Sequence, residues 1–150
     1  MPKASVKRLI ECKKKDLIKL VLDIEKYPEF VPFCFDAKIH ENKNEGDLTK
    51  IIADLTIGKG PFKDTYKSDV VFNKKKDSIF VKNIEGPLNH LSNNWMFTDK
   101  DNGITEITFD IDFEIKNKFL NSLMVVSFQF GLEKIADAFQ KRAEELFGNT

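Results

Sequence analysis

The chain has 150 residues with 24 basic and 24 acidic side chains, so its formal net charge is zero. That balance argues against an electrostatic nucleic-acid binder, of DNA above all, which carries a basic excess or a basic face. Apolar residues at 41% and charged residues at 32% exclude a disordered or fibrous chain.

The length suits one domain over residues 1–150, and a chain of this size buries roughly 68–70% of its unfolded surface. Fourteen Phe against two Tyr and one Trp leave many purely apolar rings to be placed. Cys12 and Cys34 make no disulfide framework and read as buried free thiols in a reducing compartment. With two His and no CxxC, no metal site is expected. Met1 to Ser5 run straight into a strand-like pattern, so no signal or transit segment is expected. No run of 18 apolar residues occurs. The expected location is therefore cytoplasmic.

In chain order, residues 3–11 alternate loosely as a first strand. Leu17, Leu20, Val21 and Ile24 then share one face of an amphipathic helix, with Asp16 in its first turn and Pro28 ending it. The linker Tyr27 to Phe33 carries two prolines and three aromatic rings and cannot be a regular strand interior. From there the period becomes two. Phe33, Phe35, Ala37 and Ile39 are expected on one face, opposite Cys34, Asp36, Lys38 and His40, with a turn at Asn42–Gly46. Ile51, Ala53, Leu55 and Ile57 line the next strand, and Gly58–Pro61 turns the chain. Phe62, Tyr66, Val70 and Phe72 follow, with Asp64 and Ser68 on the same face. A hairpin at Asn73–Asp77 leads to a strand at Ile79–Ile84. After Gly86-Pro87 comes a strand carrying Leu91, Trp95 and Phe97. The last strand alternates Ile107, Phe109, Ile111, Phe113 and Ile115 against Glu106, Thr108, Asp110, Asp112 and Glu114.

About seven strands in hairpin order, each apolar on one side, predict an antiparallel sheet of an α+β protein whose apolar face needs a cover. The cover is residues 117–147, a helix that Asn117 caps and Gly148 ends. Its stripe is Leu120, Leu123 or Met124, Phe128, Leu132, Ile135, Phe139, Ala143 and Leu146. One helix about 10–12 Å across cannot fill a wide curved sheet. The expectation is an apolar hollow between the two, of roughly 300–1,000 Å³.

Several blocks resemble the coenzyme-Q-binding, polyketide-cyclase-like branch of the START lipid-transfer superfamily. They are Tyr27-Pro28-Glu29-Phe30-Val31-Pro32-Phe33-Cys34; Ala53 to Gly58 with Phe62 to Ser68; Gly86-Pro87-Leu88 with Leu91 and Trp95-Met96-Phe97; and Asp110 to Glu114. Their order and spacing run nearly the whole chain. The sequence departs at Met96, where the family often carries a basic or polar residue. The resemblance implies a helix-grip fold. It implies binding of ubiquinone or a related polyprenyl lipid in support of respiratory electron transfer, as a bound ligand rather than a catalytic cofactor. Bacterial members are also known as ribosome-association toxins that block joining of ribosomal subunits.

In that light, Phe30, Val31 and Phe33, with Tyr27, are read either as the gate of a lipid cavity or as a hydrophobic staple closing one end of the sheet. The inward set Ile51, Ala53, Leu55, Phe62, Tyr66, Val70, Leu91, Trp95, Phe109, Phe113, Met124 and Phe128 divides between core and prenyl channel, a division that periodicity does not make. A quinone carbonyl can accept from Ser68, Tyr66 or Asn93, unless these bond internally. The runs Lys13–Lys15 and Lys74–Lys76 read as a solvated helix start and a hairpin tip, or as docking points for anionic lipid at the inner membrane. For catalysis there is little. His40 and His90 are expected to face outward, no phosphate-binding glycine loop occurs, and Asp64 with Tyr66 is the one hint of a cyclase-like acid–base pair.

Overall fold

The computed structural model describes residues 3–59, 62–85, 88–116 and 118–147, except for the side chains at 59, 62, 85, 88, 89, 115 and 119–128. The elements are β1 (Lys3–Ile10), α1 (Lys14–Leu22), β2 (Cys34–Glu45), β3 (Leu48–Lys59), β4 (Phe62–Asn73), β5 (Ser78–Glu85), β6 (Leu88–Asp99), β7 (Thr105–Ile115) and α2 (Lys118–Phe147). The strands form one antiparallel sheet in the order β1-β7-β6-β5-β4-β3-β2. Each of β2 to β7 pairs with its neighbour in sequence, and β1 closes onto β7, so the two strands flanking α1 become the sheet's two edges. This is the helix-grip arrangement, a curved sheet with the long α2 laid on it.

The alternation read from the sequence carries through the sheet. Ile51, Ala53, Leu55, Tyr66, Ser68, Val70, Phe72, Ile79, Val81, Leu91, Trp95, Phe97, Ile107, Phe109 and Phe113 are all buried. Leu17, Leu20, Val21 and Ile24 are buried as expected, and on α2 so are Leu132, Phe139 and Ala143. Leu146, expected on that stripe, is instead 54% exposed. It lies in the final turn of α2, where the buried stripe runs from Phe139 and Ala143 to the partly buried Phe147 and leaves Leu146 turned to solvent. Leu120, Leu123, the caps Asn117 and Gly148, and the turn residues Gly60, Pro61, Gly86 and Pro87 lie outside the described residues or side chains.

Three boundaries move. The first helix stops at Leu22 and gives way to a 3-10 turn, Ile24–Glu29, that contains Pro28. Proline supplies no N–H to an i→i−4 ladder, so the α-helix does not continue through Pro28 and the chain there takes a short 3-10 piece. The β2–β3 hairpin turns at Gly46-Asp47, with Glu45 paired to Leu48, because Gly46 adopts the positive φ of 63° that a two-residue reversal demands. The third change inverts a face. A register shift between Cys34 and Asp36 puts Cys34 inside (8% exposed) and Phe35 outside (46%), while Ala37 stays in. The extra residue of a β-bulge turns the side chains next to it over. Phe35 therefore lies on the outer face, under the Lys63 ammonium at 4.0 Å from its ring centre.

The two thiols are free and buried. Burial, reinforced by Asp16 and Glu144, pushes the Cys12 thiol up to about 11. Burial raises Cys34 to about 11 as well, against a smaller pull from the Asp36 backbone. An unfolded thiol loses its proton near pH 8.5 and the folded one keeps it, so above that pH the unfolded state binds fewer protons and stability falls as pH rises. Thermal midpoints are expected to hold from pH 6 to 8 and to drop between about pH 9 and 11. Each thiol there removes up to about 1.4 kcal/mol per pH unit. Cys12→Ser with Cys34→Ala should flatten the profile, and an unchanged profile would show that other groups set the alkaline limit.

Candidate functional site: the inner face of the sheet

The inner face is built strand by strand. Cross-strand pairs set Leu55 beside Tyr66, Ala53 beside Ser68 and Ile51 beside Val70. Val81 pairs with both Val70 and Asn93, and Trp95 pairs with Phe109 on the far side. Trp95 is the hub of one end of this face. Its ring lies 4.1 Å from Phe109 and 6.5 Å from Phe97, and meets Phe139 of α2 edge-on at 5.2 Å. Phe139 in turn takes Phe30 at 5.2 Å and Tyr27 at 5.4 Å, both near perpendicular. Edge-to-face pairs of this kind add about 0.5–1.5 kcal/mol each beyond area burial. The cluster locks α2 to β6 on one side and to the linker on the other.

The linker is held at several points. Tyr27 donates its hydroxyl to the Val21 carbonyl. Arg142 of α2 bonds Glu29 at 3.0 Å and covers the Phe30 ring at 5.1 Å. Phe33 sits at a φ of 70°, uncommon for a bulky residue and worth of order 1–3 kcal/mol of strain. Its carbonyl accepts the Gly58 N–H at 3.0 Å, and its ring reaches over α2 at Gly131. Phe30 therefore belongs to the staple. Val31 and Phe33 are half-buried.

The polar groups sort themselves by partner. Ser68, fully buried, donates to the Ala53 carbonyl at 3.2 Å. Asn93 is half-buried, and its side-chain oxygen accepts the Trp95 indole N–H at 3.0 Å. Tyr66 is 7% exposed, and among the described residues no hydrogen bond is made by its hydroxyl. Burial, with the Cys34 thiol nearby, raises the Tyr66 phenol well above its usual range, so it stays a protonated donor. Asp64, expected on this face, is exposed and accepts the Thr65 N–H at 2.8 Å. It lies near the start of β4, ahead of the buried run that begins at Tyr66, and an ionised carboxylate stays in water unless paired. The inward Asp64–Tyr66 pair is therefore not formed. His40 and His90 face outward as expected, 2.7 Å from Asp54 and 3.7 Å from Asp112. The side chains of Phe62, Met124 and Phe128 lie outside the description.

The two lysine runs, far apart in sequence, meet at one end. Lys14 bonds Asp77 of the β4–β5 turn at 2.9 Å and Asp99 of β6 at 3.0 Å, and Lys75 pairs with Asp47 at 3.4 Å. Both runs are thus partly neutralised by local acids, which neither the solvated nor the membrane-docking reading of the sequence anticipated. Among the described residues, no helix is long and apolar enough to cross a membrane.

Comparison with known proteins agrees with this architecture. The family model described as polyketide cyclase / dehydrase and lipid transport matches residues 13–140. The ribosome association toxin RatA of Rickettsia prowazekii is 32% identical over 142 residues, covering 93% of this chain and 94% of that protein. The mitochondrial coenzyme Q-binding protein COQ10 of Dictyostelium discoideum is 32% identical over 135 residues, covering 87% of this chain and 63% of its own length. A START superfamily protein from Mycobacterium smegmatis superposes with a TM-score of 0.81 at 19% identity, covering 96% of this chain and 98% of that one. With its sheet, its gripping helix and its sequence all matched, this chain belongs to the polyketide cyclase / dehydrase and lipid transport family.

Proposed function

We propose that this protein binds ubiquinone or a related polyprenyl lipid between the sheet and α2, without catalysing a reaction on it, and so supports respiratory electron transfer. The observation that carries this reading is the apolar inner face with the Tyr66 hydroxyl, which makes no hydrogen bond among the described residues, set into it. Ala53, Leu55, Tyr66, Val70, Leu91, Trp95, Phe109 and Phe113 are the described wall residues, and Val31 and Phe33 are the entry. Each prenyl CH₂ buried there contributes about 0.8 kcal/mol, so a few isoprene units give useful affinity before any polar contact. The similarity to a coenzyme Q-binding protein supports the choice of lipid. Organic extraction of the purified protein is expected to release a quinone, and the delipidated protein to take up added ubiquinone saturably. An empty extract together with no saturable uptake rejects the reading.

A second reading is translation inhibition through the ribosome. It draws on the similarity to RatA, which covers nearly the whole chain, and on the convergence of the two lysine runs. Overproduction would then shift joined ribosomes to free subunits on a sucrose gradient, and an unaltered profile removes this reading. The cyclase alternative has lost the inward acid it relied on, since Asp64 is exposed.

A further inference from the structure

Resting on the quinone-binding reading above, we infer that the interior prefers the oxidised quinone to the reduced quinol, and that the Tyr66 hydroxyl is the group that tells them apart. The two redox forms have the same tail and nearly the same ring. They differ in hydrogen-bond chemistry, because a quinone oxygen only accepts whereas a quinol oxygen carries a proton to donate. The wall is mismatched to the second. Every other buried hydroxyl of the described residues is already spent on a protein acceptor: Ser68 on the Ala53 carbonyl at 3.2 Å, Thr105 on the Cys12 carbonyl at 2.7 Å and Thr49 on the Asn44 side chain at 2.8 Å. Tyr27 is spent on the Val21 carbonyl, and the Cys34 thiol faces the Asp36 carbonyl at 3.7 Å. Tyr66 remains, 7% exposed, with its proton uncommitted.

Acceptors are scarce on the same face. Among the described residues no carboxylate or imidazole is buried as a whole side chain, and the one buried carboxylate oxygen without a partner, Asp112 Oδ1, belongs to the outer-face pair with His90. Asp64 is exposed, and Asp54, Asp112, His40 and His90 pair with one another on the outer face. The Asn93 side-chain oxygen already holds the indole N–H at 3.0 Å, and the Ser68 oxygen is sealed at 0% exposure. A quinone carbonyl placed at Tyr66 completes the bond its hydroxyl leaves open among the described residues. A quinol there must aim its proton at the tyrosine oxygen, which leaves the tyrosine proton unmatched, or else bury an unpaired O–H. One unpaired buried donor is worth roughly a tenfold or greater loss of affinity.

The test titrates the full-length delipidated protein, anaerobically, with ubiquinone carrying a two-isoprene tail and separately with the same compound reduced to the quinol, by calorimetry. The oxidised form should bind roughly tenfold or more tightly. Tyr66→Phe removes a hydroxyl that has no partner among the described residues, so its thermal midpoint should match the wild type. Its quinone affinity should fall until the two forms bind within about a factor of two. Equal affinities in the wild type, or a preference that survives Tyr66→Phe, overturn the inference while leaving quinone binding in place. Uptake of neither form overturns the quinone-binding reading itself.

Discussion

Replacing Phe139 with Ala is expected to destabilise the protein by about 3–5 kcal/mol, among the largest losses any single side-chain truncation here should cause. The ring is 3% exposed and contacts Trp95, Tyr27 and Phe30 at once. Its removal opens a cavity and breaks three edge-to-face pairs, and the rigid elements around it, β6, the 3-10 turn and α2, cannot collapse into the space together. Urea unfolding checks the figure, with Leu146→Ala as the control. Leu146 is 54% exposed, and its truncation should stay within about 0.5 kcal/mol of wild type. A Phe139→Ala loss of less than about 1 kcal/mol would mean that α2 is held chiefly by something other than this aromatic lock.

The second large effect falls on ligand uptake. Leu55→Asp should abolish saturable ubiquinone binding while the protein keeps its native circular dichroism, and Val70→Asp on the neighbouring strand should do the same. Leu55 stands beside Tyr66 and is 8% exposed; Val70 stands beside Ile51 and is 4% exposed. Against a hollow, a carboxylate at either position draws in water and excludes an apolar chain. Against solid packing, the same carboxylate is stranded without a partner, at a cost that unfolds a protein of ordinary stability. Folded variants that have lost uptake support the inner face as the binding wall. Folded variants with unchanged uptake remove it from the site, and unfolded variants identify the position as core.

The antiparallel sheet was legible because each strand repeats one decision every second residue. Ile107, Phe109, Phe113 on β7 and Ile51, Ala53, Leu55 on β3 are apolar where their neighbours are polar, and that period is set by the pleat itself. The helix α2 was legible for the same reason at a period of 3.6, from Leu132 through Phe139 to Ala143. Local chemistry failed where a single residue broke the rhythm. The bulge at the start of β2 exchanged Cys34 and Phe35 between faces, and nothing in the alternating run Phe33 to Ile39 announces an added residue.

The candidate site divides along the same line. That Tyr66, Ser68 and Asn93 belong to an apolar wall followed from strand period alone. Which of them has a free proton depended on the Ala53 carbonyl, 15 residues from Ser68, and on the indole of Trp95. Likewise the linker's rings marked it as apolar, but its role as a clasp on α2 rests on Phe139 and Arg142, more than a hundred residues away. The sequence by itself determined the elements, their order and the sidedness of each, because those follow from propensity and periodicity within a few residues. The tertiary structure decided which polar groups are satisfied, which lysines are neutralised and what closes the ends of the sheet. Hydrogen bonds and ion pairs act over about 3–4 Å in space and are indifferent to separation along the chain.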